Sequence, residues 1–328
     1  MSTEYVIYGG PMSLFTRKLE SACRFYGLPF RTEFKTGPES EESHQRAATH
    51  QVPVLRTPEN WMIADTTPLL ALLDARFPAR RMVPAGPAGV LVHVLEEVLD
   101  EWVARVMVHF RWHRPENTQY IASQIAGRKL GPEEAHEFPV AQWGRRACRA
   151  TGTESESQQR AAESEYFGIL AALESQLGAT PYALGERPTA VDAMLLGGLR
   201  AHVNNDPYPD LGDYPRVVAW DEKEADRWDG GGAPIAFSAT TPFAGQLLEI
   251  ARGWYQPFAL GNARALEEGS KAFVVESYGE PVSYLARPYP EQSRRMILAR
   301  IRNQLAENEQ RAVGGWLEQQ GLDAVFMP

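Results

Sequence analysis

The first eighty residues switch between the two-residue period of a strand and the longer period of a helix. Short runs of strand-forming or alternating residues predict four strands, at 5–8, 30–34, 52–55 and 61–63. Helical spacing of apolar residues predicts two helices, over 15–26 and 69–77, and Thr67 is expected to cap the second with Pro68 at its first position. The polar segment 36–48 is predicted to be a loop with at most one irregular helical turn. This order of elements, β-α-β-loop-β-β-α, is that of a thioredoxin fold.

Beyond residue 89 the pattern is mainly helical. Apolar residues come in pairs about every four positions between Val90 and Phe110, which predicts one long helix whose apolar stripe winds around it. Further helices are predicted within 158–177, 189–203, 242–269 and 290–320, and a hairpin is predicted from strands at 272–276 and 281–285.

Two segments of linker-like composition, 79–89 and 221–241, divide the chain. We therefore expect three parts: an α/β thioredoxin-like domain over 1–80, an all-helical domain over 88–228, and a mostly helical C-terminal extension over 229–328.

Composition narrows the classes of function. The formal charge of −9 disfavours nucleic acid as a partner, because phosphates require a basic surface. No stretch of the sequence approaches the ~18 apolar residues of a membrane helix, so no membrane partner is expected. The start Met-Ser-Thr-Glu predicts no signal peptide. The two cysteines, Cys23 and Cys148, form no CxxC pair, and a reducing cytoplasmic location is expected.

The turn before the first helix is where a thioredoxin fold places its chemistry, because the helix N-terminus stabilises an anion. Redox members of the fold carry CxxC there. Here the turn reads Gly-Gly-Pro-Met-Ser, so dithiol exchange is not expected and the hydroxyl of Ser13 occupies the position instead.

Four motifs in order carry a resemblance to a known family. They are Tyr8-Gly-Gly-Pro-Met-Ser13 with Arg17, His50-Gln51-Val52-Pro53, Asp65-Thr66, and Thr189-Ala-Val-Asp192 preceded by Gly185. Together they resemble the serine-type members (theta, delta and phi classes) of the cytosolic glutathione transferase superfamily. The resemblance covers roughly 5–225 and leaves the C-terminal extension unmatched.

The resemblance implies a glutathione transferase that activates the glutathione thiolate for attack on a small hydrophobic electrophile. Ser13 would stabilise the thiolate by donating a hydrogen bond, with Tyr8 as the alternative catalytic residue. The glutathione-binding residues would be His50, Gln51, Val52, Pro53, Asp65 and Thr66, with the bond before Pro53 in the cis form. The resemblance also implies a homodimer formed by the first domain and the long helix, and it implies no metal.

Plainer interpretations accompany several of these assignments. Ser13 is also a suitable helix cap, as are Asp65 and Thr66. Cys23 and Cys148 are expected to be unreactive. His93, Glu97 and Glu101 share a helix face, which is interpreted as a solvated acidic face in preference to a metal site. The run from His109 to Arg114 is interpreted as a basic helix end that packs its aromatic residues, in preference to an acceptor pocket for an acidic aromatic substrate.

Two other functions stay open at this point. The first is a non-catalytic binding or scaffold protein that keeps the fold, for which the long extension is the argument. The second is a glutathione-dependent reductase or peroxidase, against which the missing cysteine at the turn argues.

Overall fold

The computed structural model describes residues 4–35, 37–222, 226–238 and 241–327. The start at Met1 and parts of the linker expected over 221–241 lie outside these ranges. The first part of the chain contains four strands and three helices: β1 (Tyr5–Tyr8), α1 (Leu14–Tyr26), β2 (Phe30–Glu33), α2 (Gly37–Ala47), β3 (Val54–Arg56), β4 (Met62–Ala64) and α3 (Thr66–Arg76).

The four strands form one mixed sheet in the order β2-β1-β3-β4. The pair β1–β2 is parallel, and the pairs β1–β3 and β3–β4 are antiparallel. Alternate side chains of β1 face opposite sides of the sheet. Tyr5 and Ile7 join the core with α1 and α3, and Val6 and Tyr8 pack on the other side near Ala47 at the end of α2. The predicted thioredoxin-like fold of this part is confirmed.

The helix α2 corrects the prediction of a loop over 36–48. Its residues are almost all polar and mostly exposed, so no apolar stripe reveals the helix in the sequence. Instead, contacts between side chains four residues apart on the helix surface stabilise it. Arg46 pairs with Glu42, and Gln45 donates a hydrogen bond to Glu41.

The helical domain follows. Its helices are α4 (Pro87–Glu97), α5 (Arg105–His113), α6 (Pro115–Ala126), α7 (Pro132–Glu137), α8 (Pro139–Ala150), α9 (Glu156–Gln176), α10 (Ala190–Gly198) and α11 (Pro215–Glu222). A π-helical segment, Val98–Val103, joins α4 to α5, so 87–113 form the predicted long helix with one change of winding. Thr189 and Asp192 form the predicted capping box of α10. None of the helices in the described ranges is long and apolar enough to cross a membrane.

The sequence pattern assigned no element to 115–150, where the structure has α6, α7 and α8. Each of these helices begins with a proline at its first position, namely Pro115, Pro132 and Pro139. Proline favours that position because its fixed φ suits a helix and its missing N–H is not needed there. These three prolines were therefore a signal in the sequence that could have predicted where the helices begin.

The C-terminal elements, called the extension below, are α12 (Pro242–Ile250), α13 (Gln256–Glu267), β5 (Ala272–Ser277), β6 (Glu280–Leu285), α14 (Pro288–Gln304), α15 (Glu307–Gln320) and α16 (Asp323–Phe326). A π-helical segment, Ala251–Tyr255, joins α12 to α13. The predicted hairpin is confirmed, with β5 and β6 paired antiparallel.

The extension packs on the long helix. Both α14 and α15 contact α4, and Tyr255 and Phe326 are fully buried. His93 and Glu97 are 4 % and 0 % exposed, and Glu101 is largely buried as well. The interpretation of this face as solvated is therefore wrong, because the extension covers it.

Candidate functional site

The register of the sheet brings three loops to one place. Tyr8 pairs with Val54, and Val54 pairs with Ala64, so these residues form one row across β1, β3 and β4. The turn after β1, Pro53 before β3 and Asp65 after β4 therefore lie at the same end of the sheet. The structure thus brings the predicted residues of the turn, the cis-proline segment and the start of α3 together.

Ser13 is the N-cap of α1. Its backbone is extended (φ −97°, ψ 120°), and its Oγ accepts a hydrogen bond from the N–H of Thr16 at 3.3 Å. A hydroxyl that accepts a bond at a cap still has its own proton to donate. Capping and donation to an anion are therefore compatible roles for Ser13.

The turn before α1 is held by its carbonyl groups. The N–H of Ser13 donates to the carbonyl of Gly10, and Nε of Arg17 donates to the carbonyl of Pro11 at 3.1 Å. Nη1 of Arg111 in α5 donates to the carbonyl of Met12 at 2.6 Å. With these carbonyls engaged, the turn has a fixed shape next to the helix N-terminus.

Gly9 is required by packing. A Cβ atom at this position would lie 2.4 Å from the hydroxyl oxygen of Thr16. No real side chain approaches so closely, so glycine lets the end of β1 pass directly over α1.

Tyr8 lies on the side of the sheet away from α1. Its side chain is 2 % exposed and packs with Val54 and Met62. Burial raises the pKa of its phenol above the ordinary value. This position and environment favour a structural role for Tyr8 over the alternative catalytic role considered from the sequence.

The peptide bond between Val52 and Pro53 is cis, as expected. The preceding segment is fastened to β2's end by Lys35, whose Nζ donates to the carbonyls of Thr49 (3.0 Å) and Gln51 (2.7 Å). The N–H of Gln51 donates to the hydroxyl of Thr49 at 3.0 Å. These contacts fix the approach of the chain to Pro53.

His50 is exposed and stacks on His44 of α2, with ring centroids 3.7 Å apart and planes at 16°. The sequence reasoning missed His44, since it placed no regular helix there. The pair puts two imidazole rings side by side at the edge of the loop that leads to Pro53.

Asp65 and Thr66 open α3. The helix begins at Thr66, and Asp65 is its N-cap, accepting from the N–H of Thr67 at 3.3 Å. The expectation that Thr67 caps this helix is therefore wrong by two positions. Asp65 has a φ of 68°, a conformation that costs a non-glycine residue about 1–3 kcal/mol and is found most often at functional sites.

The carboxyl of Asp65 is half-buried. Burial, and secondly the nearby Asp100, raise its pKa above the ordinary value, and Lys18 acts in the opposite direction. A cation bound at this carboxylate would remove part of that cost, so the position suits an ammonium group.

Lys18 links α1 to the long helix. It is fully buried, and its Nζ donates to Glu96 at 2.5 Å and to Asp100 at 3.1 Å. Burial alone would lower the pKa of Lys18, but the two carboxylates outweigh it and raise the pKa. Within the described ranges, no group of three His, Cys, Asp or Glu side chains is arranged to hold a metal ion.

Both cysteines are buried; this was expected for Cys23 as a core residue, whereas Cys148 was expected only to be unreactive. Burial raises the pKa of Cys23 and of Cys148 to about 12, so neither is a thiolate at neutral pH. Neither lies in the turn before α1.

Comparison with known proteins matches both domains. Residues 7–81 match the family of the glutathione S-transferase N-terminal domain, and residues 156–220 match that of the glutathione S-transferase C-terminal domain. None of the curated proteins matches the chain.

Three solved structures illustrate the similarity. A glutathione S-transferase from Rhodospirillum rubrum F11 is 16 % identical, with 74 % of this chain and 99 % of that chain covered and a TM-score of 0.45. One from Methylobacterium radiotolerans, in complex with glutathione sulfonate, is 20 % identical, with 73 % and 98 % covered and a TM-score of 0.43. A theta class enzyme from Xanthomonas axonopodis pv. citri, with glutathione bound, is 17 % identical, with 73 % and 100 % covered and a TM-score of 0.43.

Proposed function

The chain is a member of the glutathione transferase superfamily, and on that premise we propose that it activates the thiol of glutathione for attack on a hydrophobic electrophile. The observation that carries the proposal is the hydroxyl of Ser13. It sits at the N-terminus of α1 and keeps its proton for donation, at the same end of the sheet as Pro53 and Asp65.

Ser13 stabilises the thiolate in this proposal. A free thiol has a pKa of about 8.5, so only a small fraction is ionised at neutral pH. Lowering the pKa by two units requires about 2.7 kcal/mol of differential stabilisation. One hydrogen bond to the charged sulfur together with the helix N-terminus is of this size.

The other predicted residues hold the tripeptide. Asp65 pairs with the γ-glutamyl ammonium, and Thr66 with the start of α3 holds the γ-glutamyl carboxylate. The backbone of Val52 pairs with the cysteinyl unit like an added strand. His50, with Gln51 beside it, holds the glycyl carboxylate.

The electrophile would lie against the long helix. Ala104 and Val108 are half-buried and share a helix face with Arg111, which reaches the turn that carries Ser13. This face is the proposed acceptor wall. Addition, displacement and isomerisation all use the same activated thiolate.

Calorimetric titration with glutathione, followed by thiolate absorbance in the complex, tests the proposal. Wild type is expected to bind, and Asp65→Ala is expected to lose binding, because the ammonium loses its partner. Ser13→Ala is expected to keep binding but to lose the thiolate signal at neutral pH. The surface variant Glu307→Gln serves as the control, since its side chain is 92 % exposed.

Each result has a meaning for the alternatives. Absence of glutathione binding by wild type contradicts the proposal and leaves a non-catalytic protein that keeps the fold. Binding with an unchanged thiolate signal in Ser13→Ala contradicts the role of Ser13, and Tyr8→Phe is then the variant to measure. Activity retained without both cysteines excludes a cysteine-dependent reductase or peroxidase.

The homodimer and the cytoplasmic location also stay predictions. The dimer contact cannot use α4, because that helix is buried inside its own chain. The first domain has an exposed aromatic residue, Trp61, next to α3. Sedimentation at twice the chain mass of 36.6 kDa would support a dimer, and sedimentation at the chain mass would refute it.

A further inference from the structure

Arg111 connects three parts of the structure. It lies in α5 and is 4 % exposed. Its Nε and Nη2 form a two-pronged ion pair with Asp206 at 2.8 and 2.9 Å, and Nη2 also donates to the carbonyl of Ala201. Its Nη1 donates to the carbonyl of Met12 at 2.6 Å.

The contact with Met12 differs from the others that hold the turn. The bond from Arg17 to Pro11 and the bond from Thr16 to Ser13 come from α1, which moves with the turn. Arg111 belongs to the helical domain. It therefore fixes the turn relative to the long helix, one residue before Ser13.

The same helix carries the proposed acceptor wall. Val108 is three residues and Ala104 seven residues before Arg111, which places all three on one face of the helix. The side chain of Arg111 therefore connects the helix that carries the wall directly to the turn that carries Ser13. This link is additional to the ion pairs that Lys18 of α1 makes with the long helix.

We propose that Arg111, held by Asp206, is a positioning residue that aligns the Ser13 turn with the acceptor wall of the long helix. This inference rests on the proposed function. Arg111 acts through the carbonyl of Met12 and does not touch the sulfur. Its charge is balanced by Asp206, so its role is alignment of the two reactants rather than stabilisation of the thiolate.

Alignment and activation are separable by experiment. The groups proposed to bind glutathione and to stabilise its thiolate belong to the first domain, and the bonds from α1 to the turn remain, so these groups keep their arrangement relative to one another when the link to the helical domain is loosened. Arg111→Lys is expected to leave the glutathione dissociation constant and the pKa of the bound thiol close to wild type. It is expected to lower kcat with a chlorodinitrobenzene probe by about tenfold or more.

The measurements are calorimetry, thiolate absorbance against pH, and steady-state rates with both substrates varied. Arg128→Lys, an exposed arginine paired with Glu134, is the matched control and is expected to change none of them. An unchanged kcat in Arg111→Lys overturns the inference. A thiol pKa raised together with kcat loss also overturns it, because Arg111 would then act on activation.

Hydrogen exchange of the glutathione-free protein separates this inference from the proposed function. The backbone amides of Gly9, Gly10, Met12 and Ser13 in the turn are expected to exchange about tenfold faster in Arg111→Lys than in wild type. Equal exchange contradicts the positioning role even if the protein binds no glutathione. Should Arg111→Lys fail to fold, Asp206→Asn keeps the size of the partner side chain and carries the same expectations with smaller changes.

Discussion

Two interfaces of the molecule, called seams below, bury charged side chains. The first seam lies between the first domain and the helical domain, and the second lies between the long helix and the extension. They differ in the partners that their charged side chains have. In the first seam, Lys18 of α1 donates to both Glu96 and Asp100 of the long helix. Arg111, which is paired with Asp206 inside the helical domain, donates across the same seam to the carbonyl of Met12. In the second seam, Glu97 and Glu101 meet Tyr255 at 2.8 Å and Arg287 at 3.0 Å. Only one of these two partners is a cation.

The two seams therefore differ in which of their buried carboxyl groups is bonded to a cation. Burial, and secondly Glu101, raise the pKa of Glu97 well above its ordinary value, and burial raises the pKa of Glu101 to about 7. One oxygen of Glu97 lacks a hydrogen-bond partner of good geometry, although Ser293 is close enough to lower the pKa somewhat. In the first seam, burial raises the pKa of Glu96 to about 7 although Lys18 acts in the opposite direction, so that seam holds a proton as well. Both seams lose protons as pH rises, and Glu97 differs in that its bonded partner, Tyr255, is not a cation.

The largest expected effect is in the first seam. Asp206→Ala leaves Arg111 buried without its carboxylate, which costs about 3–5 kcal/mol of unfolding free energy. Urea denaturation followed by tryptophan fluorescence measures the loss. A loss below about 1 kcal/mol would contradict the view that this pair is buried and tightly matched.

A pH series sharpens the comparison in the second seam. The folded pKa of Glu97 lies above its unfolded value, so its contribution to stability is full at low pH and falls as pH rises towards the folded pKa. We expect this contribution to lower the unfolding free energy of wild type by up to about 1.4 kcal/mol per pH unit as pH rises above the ordinary glutamate value of 4.5. Glu97→Gln, which still accepts from Tyr255, is expected to flatten this fall.

The groups around Glu97 define the control for this series. They are Tyr255 and Ser293 from the extension and Glu101, Glu96 and Asp100 from the long helix. A histidine with a lowered pKa, such as His93 at about 3, adds stability as pH rises towards its unfolded pKa near 6.5. Wild type and Glu97→Gln share this contribution, so it cancels when their slopes are compared. Equal slopes for wild type and Glu97→Gln at every pH above 4.5 would assign the proton to another group.

A smaller effect is expected from Arg287→Gln. This side chain is partly exposed, so the pair with Glu101 is worth about 1 kcal/mol when both are charged. Because Glu101 is largely protonated below pH 7, the loss of stability should be greater at pH 8 than at pH 6. Denaturation at these two pH values measures the difference, and an equal loss at both would show that the pair is not limited by the charge of Glu101.

The smallest effect is expected at the exposed pair of Glu307 and Arg311 on α15. Glu307→Gln should change the unfolding free energy by less than about 0.5 kcal/mol at every pH, because water screens this pair. A larger change would mean that α15 contributes to the second seam through charge as well as packing.

Local signals in the sequence predicted much of the fold and of the candidate site. The strand-forming runs, the Gly-Gly-Pro turn and the capping box of Thr189 and Asp192 can each be recognised from a few consecutive residues. The structure confirms these features. The helix α2 was missed because its polar surface carries no period. Ser13 and Asp65 were identified as candidates from their motifs, and their roles stay predictions.

Features that depend on distant partners could not be predicted. The face of His93 and Glu97 reads as solvated because the residues that cover it lie far along the chain. The pair of Arg111 and Asp206 joins positions 95 residues apart, and nothing in either neighbourhood signals the other. The contact of His44 with His50 could not be predicted, because it depends on the helix α2, which places the two rings against each other.

The burial of the long helix by the extension also bears on synthesis of the protein. Glu97 and its partner Tyr255 are 158 residues apart, and at about 5–20 residues per second the ribosome needs roughly 8–30 s to cover that distance. Throughout that time the nascent chain presents the face of α4 to water. Glutamates that are buried in the finished protein are hydrated and ionised at this stage, so their like charges oppose association of this face with a neighbouring chain.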